Sequence, residues 1–212
     1  MNKLLIFDWD GTVVDSTSHI VASIKKTSKE VLDQNYDDLE IKKIIGLSLP
    51  QAFEKLTGIN CMQTYQKFSE YYKNEYILNR PEPFEGIHFG FERLQHNGFQ
   101  LAVATGKSRK GLENDFKAFN LNHFFRDSRT ADECFSKPHP QMIDELVISC
   151  MVSKENILMI GDSLVDQNMA QNASVAFVGV TYGTTSKNDF SNYLLYCADS
   201  PLDLFDWLIK NA

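Results

Sequence analysis

LLIFDWDGTVVDST, residues 4–17, carries four apolar residues into two carboxylates one position apart, Asp8 and Asp10, and then into Gly11 and Thr12. Leu4, Leu5, Ile6 and Phe7 form an unbroken apolar run, the pattern of a strand buried on both faces of a parallel sheet. Carboxylates at the mouth of such a strand repel each other and lose hydration, so a fold that keeps them needs something to neutralise them. Three more runs of the same kind follow: FQLAVA (99–104) ends at Thr105 and Gly106, NILMI (156–160) at Gly161 and Asp162, and VAFVGV (175–180) at Thr181. Helical spacing separates them. Ile87, Phe91 and Leu94 recur four and three apart before HNG, where Gly98 predicts a C-cap. Leu112, Phe116 and Phe119 repeat the pattern, as do Met142, Leu146 and Cys150 in a helix introduced by Pro138 and Pro140. Strand alternating with helix predicts right-handed crossovers and an α/β fold, a doubly wound, Rossmann-like parallel sheet. Ligands of such sheets bind at the carboxyl ends of strands, where Asp8, Thr105 and Asp162 all stand.

Residues 16–82 read differently. HIVASIKKTSKEVLDQ, DLEIKKIIG, LPQAFEKLTG and MQTYQKFSEYYKNEYILN are helical runs with no strand among them, and the Pro-rich joint RPEPFEG (80–86) precedes the return of the alternation. The expected organisation is an α/β core of residues 1–15 and 83–212, with an inserted α-helical cap domain, 16–82, over the sheet edge. Tyr65, Phe68, Tyr72 and Tyr76 recur at helical spacing and are expected to form cap core.

The bulk numbers set bounds. The 212 residues are 43% hydrophobic and 23% charged with a net charge of -7, an ordinary globular composition and an acidic one. That charge argues against sequence-independent nucleic-acid binding and against an anionic membrane surface. The apolar start is short and broken by acids, unlike a secretory leader, and there is no run of eighteen apolar residues. Cys61, Cys134, Cys150 and Cys197 lie far apart without metal-ligand spacing and read as buried, reduced thiols. The expectation is a soluble, cytoplasmic protein without nucleic-acid or membrane partners, a monomer or a homodimer.

Singly, the chemical motifs have bland explanations: DWDGT an Asx-type turn, ATG a strand-to-helix joint, SKPHP a solvated lysine, GDSLVD a capped helix start with Ser163 or Asp162 as cap. In order, and at successive strand ends, they resemble the haloacid dehalogenase superfamily over the whole chain, within it the phosphatases with a small helical cap such as phosphoglycolate phosphatase. DWDGT matches the first motif of that family, ATG the second, KPHP the third and GDSLVD the fourth. QNAS (171–174) departs from it, since many relatives carry a glycine after the alanine, and this bears on a helix end only.

The resemblance implies a hydrolase of phosphate monoesters. Asp8 is then the nucleophile that forms an aspartyl-phosphate, and Asp10 the general acid and later the base. Thr105, Gly106 and Lys137 hold the phosphoryl group. Mg2+ is the implied cofactor, on the Asp8 carboxylate, the Asp10 backbone carbonyl and the Asp162 carboxylate, with Asp166 in support. GLSL (Gly46, Leu47, Ser48, Leu49) is the segment expected to overhang the site and help choose the leaving group. The substrate is a small phosphorylated metabolite, 2-phosphoglycolate first. A β-phosphoglucomutase-like phosphomutase is the alternative, and a non-catalytic phospho-receiver switch a further one. Lys107, Arg109 and Lys110, just after the second motif, read as a solvated helix face, and His88, His96, His123 and His139 lack ligand spacing.

Overall fold

The structure is a computed structural model that describes residues 3–78 and 80–212. Met1 and Asn2, in the expected core, and Asn79, at the end of the last expected cap helix, lie outside the described residues.

Six strands run parallel: β1 (Leu4–Phe7), β2 (Gln100–Thr105), β3 (Asp127–Thr130), β4 (Ile157–Gly161), β5 (Ala176–Val180) and β6 (Leu194–Ala198). Their order is β3-β2-β1-β4-β5-β6, so the chain starts in the middle of the sheet and reverses direction between β1 and β4. This is the doubly wound arrangement, in which the reversal opens a crevice at the carboxyl edge. Leu5, Phe7, Leu101, Val103, Leu158, Ile160, Val178 and Val180 share one hydrophobic cluster; Leu4, Ile6, Ala102, Ala104, Met159 and Phe177 belong to another. Alternate residues of every central strand thus bury on opposite faces, which is why these runs show no polar alternation. Helices α5 (Ile87–His96), α6 (Arg109–Phe119) and α9 (Pro201–Asn211) cover the first face; α7 (Gln141–Cys150) and α8 (Leu164–Ala173) cover the second. At the end of α5, Asn97 is the cap and Gly98 takes a φ of 83°.

Between β1 and α5 lie α1 (Thr17–Leu32), α2 (Asp38–Lys42), α3 (Leu49–Thr57) and α4 (Met62–Leu78). They pack on a third cluster of their own, built on Ile20, Ile24, Ile41, Ile44, Phe53 and Phe68. The two segments that join this helical block to the sheet run side by side. Val14 bridges Pro83 antiparallel, the Asp15 N–H donates to the Glu82 carbonyl at 2.9 Å, and the Phe84 N–H donates to the Val13 carbonyl at 3.0 Å. No helix among the described residues is long and apolar enough to cross a membrane.

Two strands were not anticipated from the sequence. β3, DSRT, is an edge strand whose polar residues pair outward, Arg129 with Asp127 and Glu145. β6 closes the opposite edge, with Leu195 exposed. Of the cysteines, Cys134, Cys150 and Cys197 are buried and unpaired as expected, whereas Cys61 is exposed in the turn before α4.

Candidate active site

Register brings the expected residues to one edge. Phe7 pairs with Val103 on one side and with Ile160 on the other, so Asp8 leaves β1 level with the ends of β2 and β4. Gly11 then turns the chain away at a φ of 82°, and a Cβ there would sit 2.3 Å from Asp162 Oδ2, so only glycine fits. Asp162 follows β4, and Ser163 caps α8 in a capping box with Asp166.

Asp8, Lys137, Asp162 and Asp166 are all buried. Lys137 Nζ donates to Asp8 Oδ1 at 2.5 Å and to Asp166 Oδ1 at 2.6 Å. The second oxygen of Asp166 accepts from the Ser163 backbone N–H and hydroxyl. Asp162 is held from its own side: the Thr184 N–H donates to Oδ2 at 2.7 Å and the Thr184 hydroxyl to the Asp162 carbonyl at 3.0 Å. Burial, with Asp166 adding its charge, raises the Asp8 carboxyl well above the ordinary range, against the pull of Lys137. Burial and then Asp166 likewise push Asp162 up to about 7. Burial alone would lower Lys137, but the Asp166 and Asp8 carboxylates outweigh it and its pKa rises.

Fully ionised, three carboxylates against one ammonium would leave two negative charges buried at this point, which is why Asp8 and Asp162 are raised. One oxygen of Asp8, Oδ2, is buried without a hydrogen-bond partner. Asp8, Asp162 and Asp166 each offer an oxygen within 4.8 Å of the others. A charge deficit of two, an all-oxygen donor set and an orphaned carboxylate oxygen fit a hard divalent cation. Both oxygens of Asp166 already accept hydrogen bonds, one of them from the Lys137 ammonium. Those of Asp162 accept only from neutral donors, the Thr184 N–H and, at 3.4 Å, the Thr12 hydroxyl, so Asp8, with its free oxygen, fits the cation best and Asp162 next.

The second carboxylate of DWD faces another way. Asp10 is outside the Asp8, Asp162 and Asp166 group and lies within reach of Lys107 Nζ (3.3 Å) and the Tyr76 hydroxyl (3.3 Å). Lys107 is not part of a solvated helix face: its side chain is 12% exposed and also meets Asp115 Oδ2 at 3.3 Å. Arg109 clamps Glu133 and Ser128, and only Lys110 is open to solvent. Thr105 is buried, its hydroxyl accepting from the Lys107 N–H at 3.1 Å.

GLSL lies directly over this edge. A Cβ on Gly106 would come within 2.6 Å of the carbonyl oxygens of both Gly46 and Leu47. The Ser48 N–H donates to the Ser136 hydroxyl at 2.9 Å, and Gly46 lies against Ser163. Leu47 also lines, with Gln51, Glu54, Lys55, Lys137 and Pro138, a cleft of about 390 Å³ between α3 and the core.

Residues 5–180 match the model of the haloacid dehalogenase-like hydrolases. The chain belongs to that family. It is therefore an enzyme of the hydrolase class, and its relatives are phosphatases. It is 29% identical to a phosphoglycolate phosphatase of Mannheimia succiniciproducens, over 99% of this chain and 94% of that protein. It is 27% identical to the pyrophosphatase PpaX of Halalkalibacterium halodurans, over 84% of this chain and 83% of that one. The fold superposes on the crystal structure of a hydrolase from Pseudomonas syringae with a TM-score of 0.89 at 22% identity, covering 100% of both chains.

Four residues of these buried clusters escaped the sequence reading. Thr184 sits in the loop after β5, too far along the chain from Asp162 for spacing to connect them. Asp115 reads as an ordinary helix carboxylate until the fold sets it against Lys107 and the Trp9 indole N–H, 3.0 Å away. Tyr76 follows the cap-core spacing, and only its hydroxyl leaves that pattern. Lys107, two residues after Thr105, was the one with a visible signal, the same strand end as the second motif.

Proposed function

We propose that this hydrolase is a Mg2+-dependent phosphatase that cleaves a small phosphate monoester through an aspartyl-phosphate on Asp8. The observation that carries the reading is the Asp8 carboxylate itself: buried, one oxygen on Lys137, the other without a partner, beside Asp162. Phosphate monoesters resist attack because their anionic oxygens repel nucleophiles, so charge must be neutralised and the attack aligned. In this reading Asp8 attacks phosphorus in line while Asp10 protonates the departing alkoxide. Asp10 then takes the proton of the water that attacks phosphorus, releasing phosphate and restoring Asp8. Lys137, the Thr105 hydroxyl and the Gly106 N–H hold the phosphoryl oxygens. Mg2+, held by Asp8, the Asp10 carbonyl and Asp162, would supply positive charge against the phosphoryl group. Asp166 keeps Lys137 aimed at Asp8.

The same reading divides the chain into a catalytic core, 1–15 and 83–212, and a helical cap, 16–82. The separate hydrophobic cluster of α1–α4 and the paired joints at Val14 and Pro83 support that division. Gly46, Leu47, Ser48 and Leu49, seated on Gly106, then limit the leaving group, and their uncharged, short character favours a compact one such as 2-phosphoglycolate. Pyrophosphate is a second substrate reading, favoured by the relatives named pyrophosphatase. Unpaired cysteines suit a reducing, cytoplasmic setting. Phosphate release from 2-phosphoglycolate, pyrophosphate and p-nitrophenyl phosphate, with Mg2+ and with excess EDTA, tests the proposal. Turnover that needs Mg2+ supports it; full activity in EDTA, or none on any phosphorylated compound, overturns it.

A further inference from the structure

The two acids of DWD each have a lysine of their own. Asp8 meets Lys137, whose other partner is Asp166; Asp10 meets Lys107, whose other partner is Asp115. The second carboxylate–lysine–carboxylate chain is nearly dry: the side chains of Asp10, Lys107 and Asp115 are 14%, 12% and 4% exposed. Asp115 is anchored by the buried Trp9 indole and faces the Arg80 guanidinium at 4.0 Å. Asp10, Lys107 and Asp115 all belong to the sheet and its helices. Tyr76 does not. It stands near the end of α4, in the helical block, and its hydroxyl accepts from Lys107 Nζ at 3.0 Å while reaching Asp10 Oδ1 at 3.3 Å. Lys107 Nζ also lies 4.3 Å from the centre of the Tyr76 ring, within cation–π range. Burial raises the tyrosine hydroxyl above its ordinary pKa, so it is present as a proton donor.

We propose that Lys107 and Tyr76 are positioning residues for Asp10, and that Tyr76 makes the placement of that carboxylate depend on the helical block being docked. Lys107 restrains Asp10 from the core side at all times. The Tyr76 hydroxyl completes the cage only when α4 lies against the sheet, so the proton donor is aligned in the arrangement that covers the site. This rests on the reading of Asp10 as general acid, and Asp10→Asn serves as the internal reference below.

The test is the dependence of kcat/KM on the leaving group, across monoesters from p-nitrophenyl phosphate, whose phenolate departs with little help, to alkyl phosphates such as glycerol 2-phosphate, whose alkoxide needs a proton. A residue that only supports the fold lowers all of these alike. A residue that aligns Asp10 lowers the alkyl esters more. Asp10→Asn should show the steepest dependence. Tyr76→Phe, which keeps the ring and its packing, should follow with a loss on alkyl phosphates at least tenfold larger than its loss on p-nitrophenyl phosphate. Lys107→Met should fall in the same direction, and the mild Tyr76→Phe keeps the test intact if that variant folds poorly. An even loss, or no loss, in Tyr76→Phe while Asp10→Asn is steep overturns the positioning role and leaves the acid in place. A flat profile in Asp10→Asn overturns the acid and the positioning role together.

Discussion

Gly106→Ala probes how closely the helical block must seat for turnover. The substitution keeps the backbone N–H that the proposed mechanism needs. It adds a Cβ 2.6 Å from the carbonyl oxygens of Gly46 and Leu47. Carbon ordinarily meets a carbonyl oxygen at about 3.3 Å, so the overlap is about 0.7 Å. Both oxygens are backbone, so no side-chain rotation relieves it. Either the turn after β2 deforms or the block rides up on its two joints. Overpacking of this size costs about 1–3 kcal/mol. That lowers the equilibrium constant for seating about five- to 150-fold. If chemistry occurs only when the block is seated, and the block is mostly unseated in the free enzyme, kcat/KM for small phosphate monoesters falls by the same factor. The hydrophobic clusters on the two sheet faces are untouched, so the melting temperature should move by only a few degrees. Phosphate release and thermal melting on the same preparation check both halves. Unchanged kcat/KM would refute the requirement for seating, and a collapse in melting temperature would show that the clash falls on the fold itself.

Ser174 ends α8 at a φ of 59°. A left-handed conformation strains an L-residue, and glycine loses more entropy on folding, so Ser174→Gly should stabilise the protein by about 0.5–1 kcal/mol net. A urea midpoint that stays put or falls would count against this. Asp162→Ala should raise the Mg2+ concentration for half-maximal activity, read from metal titrations of phosphate release, because it removes one of few protein oxygens near the cation. An unshifted titration would remove Asp162 from the metal site. Changing Leu47 and Leu49 to alanine should alter relative kcat/KM among phosphorylated metabolites more than kcat on p-nitrophenyl phosphate. A uniform loss would point to a folding defect of the helical block instead.

Much of the architecture was legible because the central strands are buried on both sides. LLIF, the run before Thr105, NILMI and VAFVGV are nearly continuous apolar runs that lead into polar residues, so the strands and their carboxyl edge could be read together. The edge strands carry no such mark. DSRT has one neighbour, alternates buried and half-buried residues, and spends its polar side chains on outward ion pairs. Spacing worked within elements and failed across them. Ser163 and Asp166 form a capping box three residues apart, which a sequence displays. Asp10 and Lys107 are brought together by β1–β2 pairing, Asp115 by the face α6 covers, and Tyr76 by the docking of α4. Lys107 looked solvated because a lysine near a helix start usually is. Two carboxylates flanking it, the half-buried Asp10 and the buried Asp115, reverse that expectation, and Asp10 is far from it in the chain.

The central claim is double displacement through Asp8, and the stereochemical course at phosphorus tests it most directly. A phosphate ester made chiral with oxygen isotopes would be turned over in the presence of an alcohol acceptor, and the configuration of the transferred phosphoryl group determined. Each in-line attack inverts phosphorus. Attack by Asp8 followed by attack of the acceptor gives net retention, which is the result predicted here. Net inversion would mean a single direct displacement, with Asp8 never bonded to phosphorus.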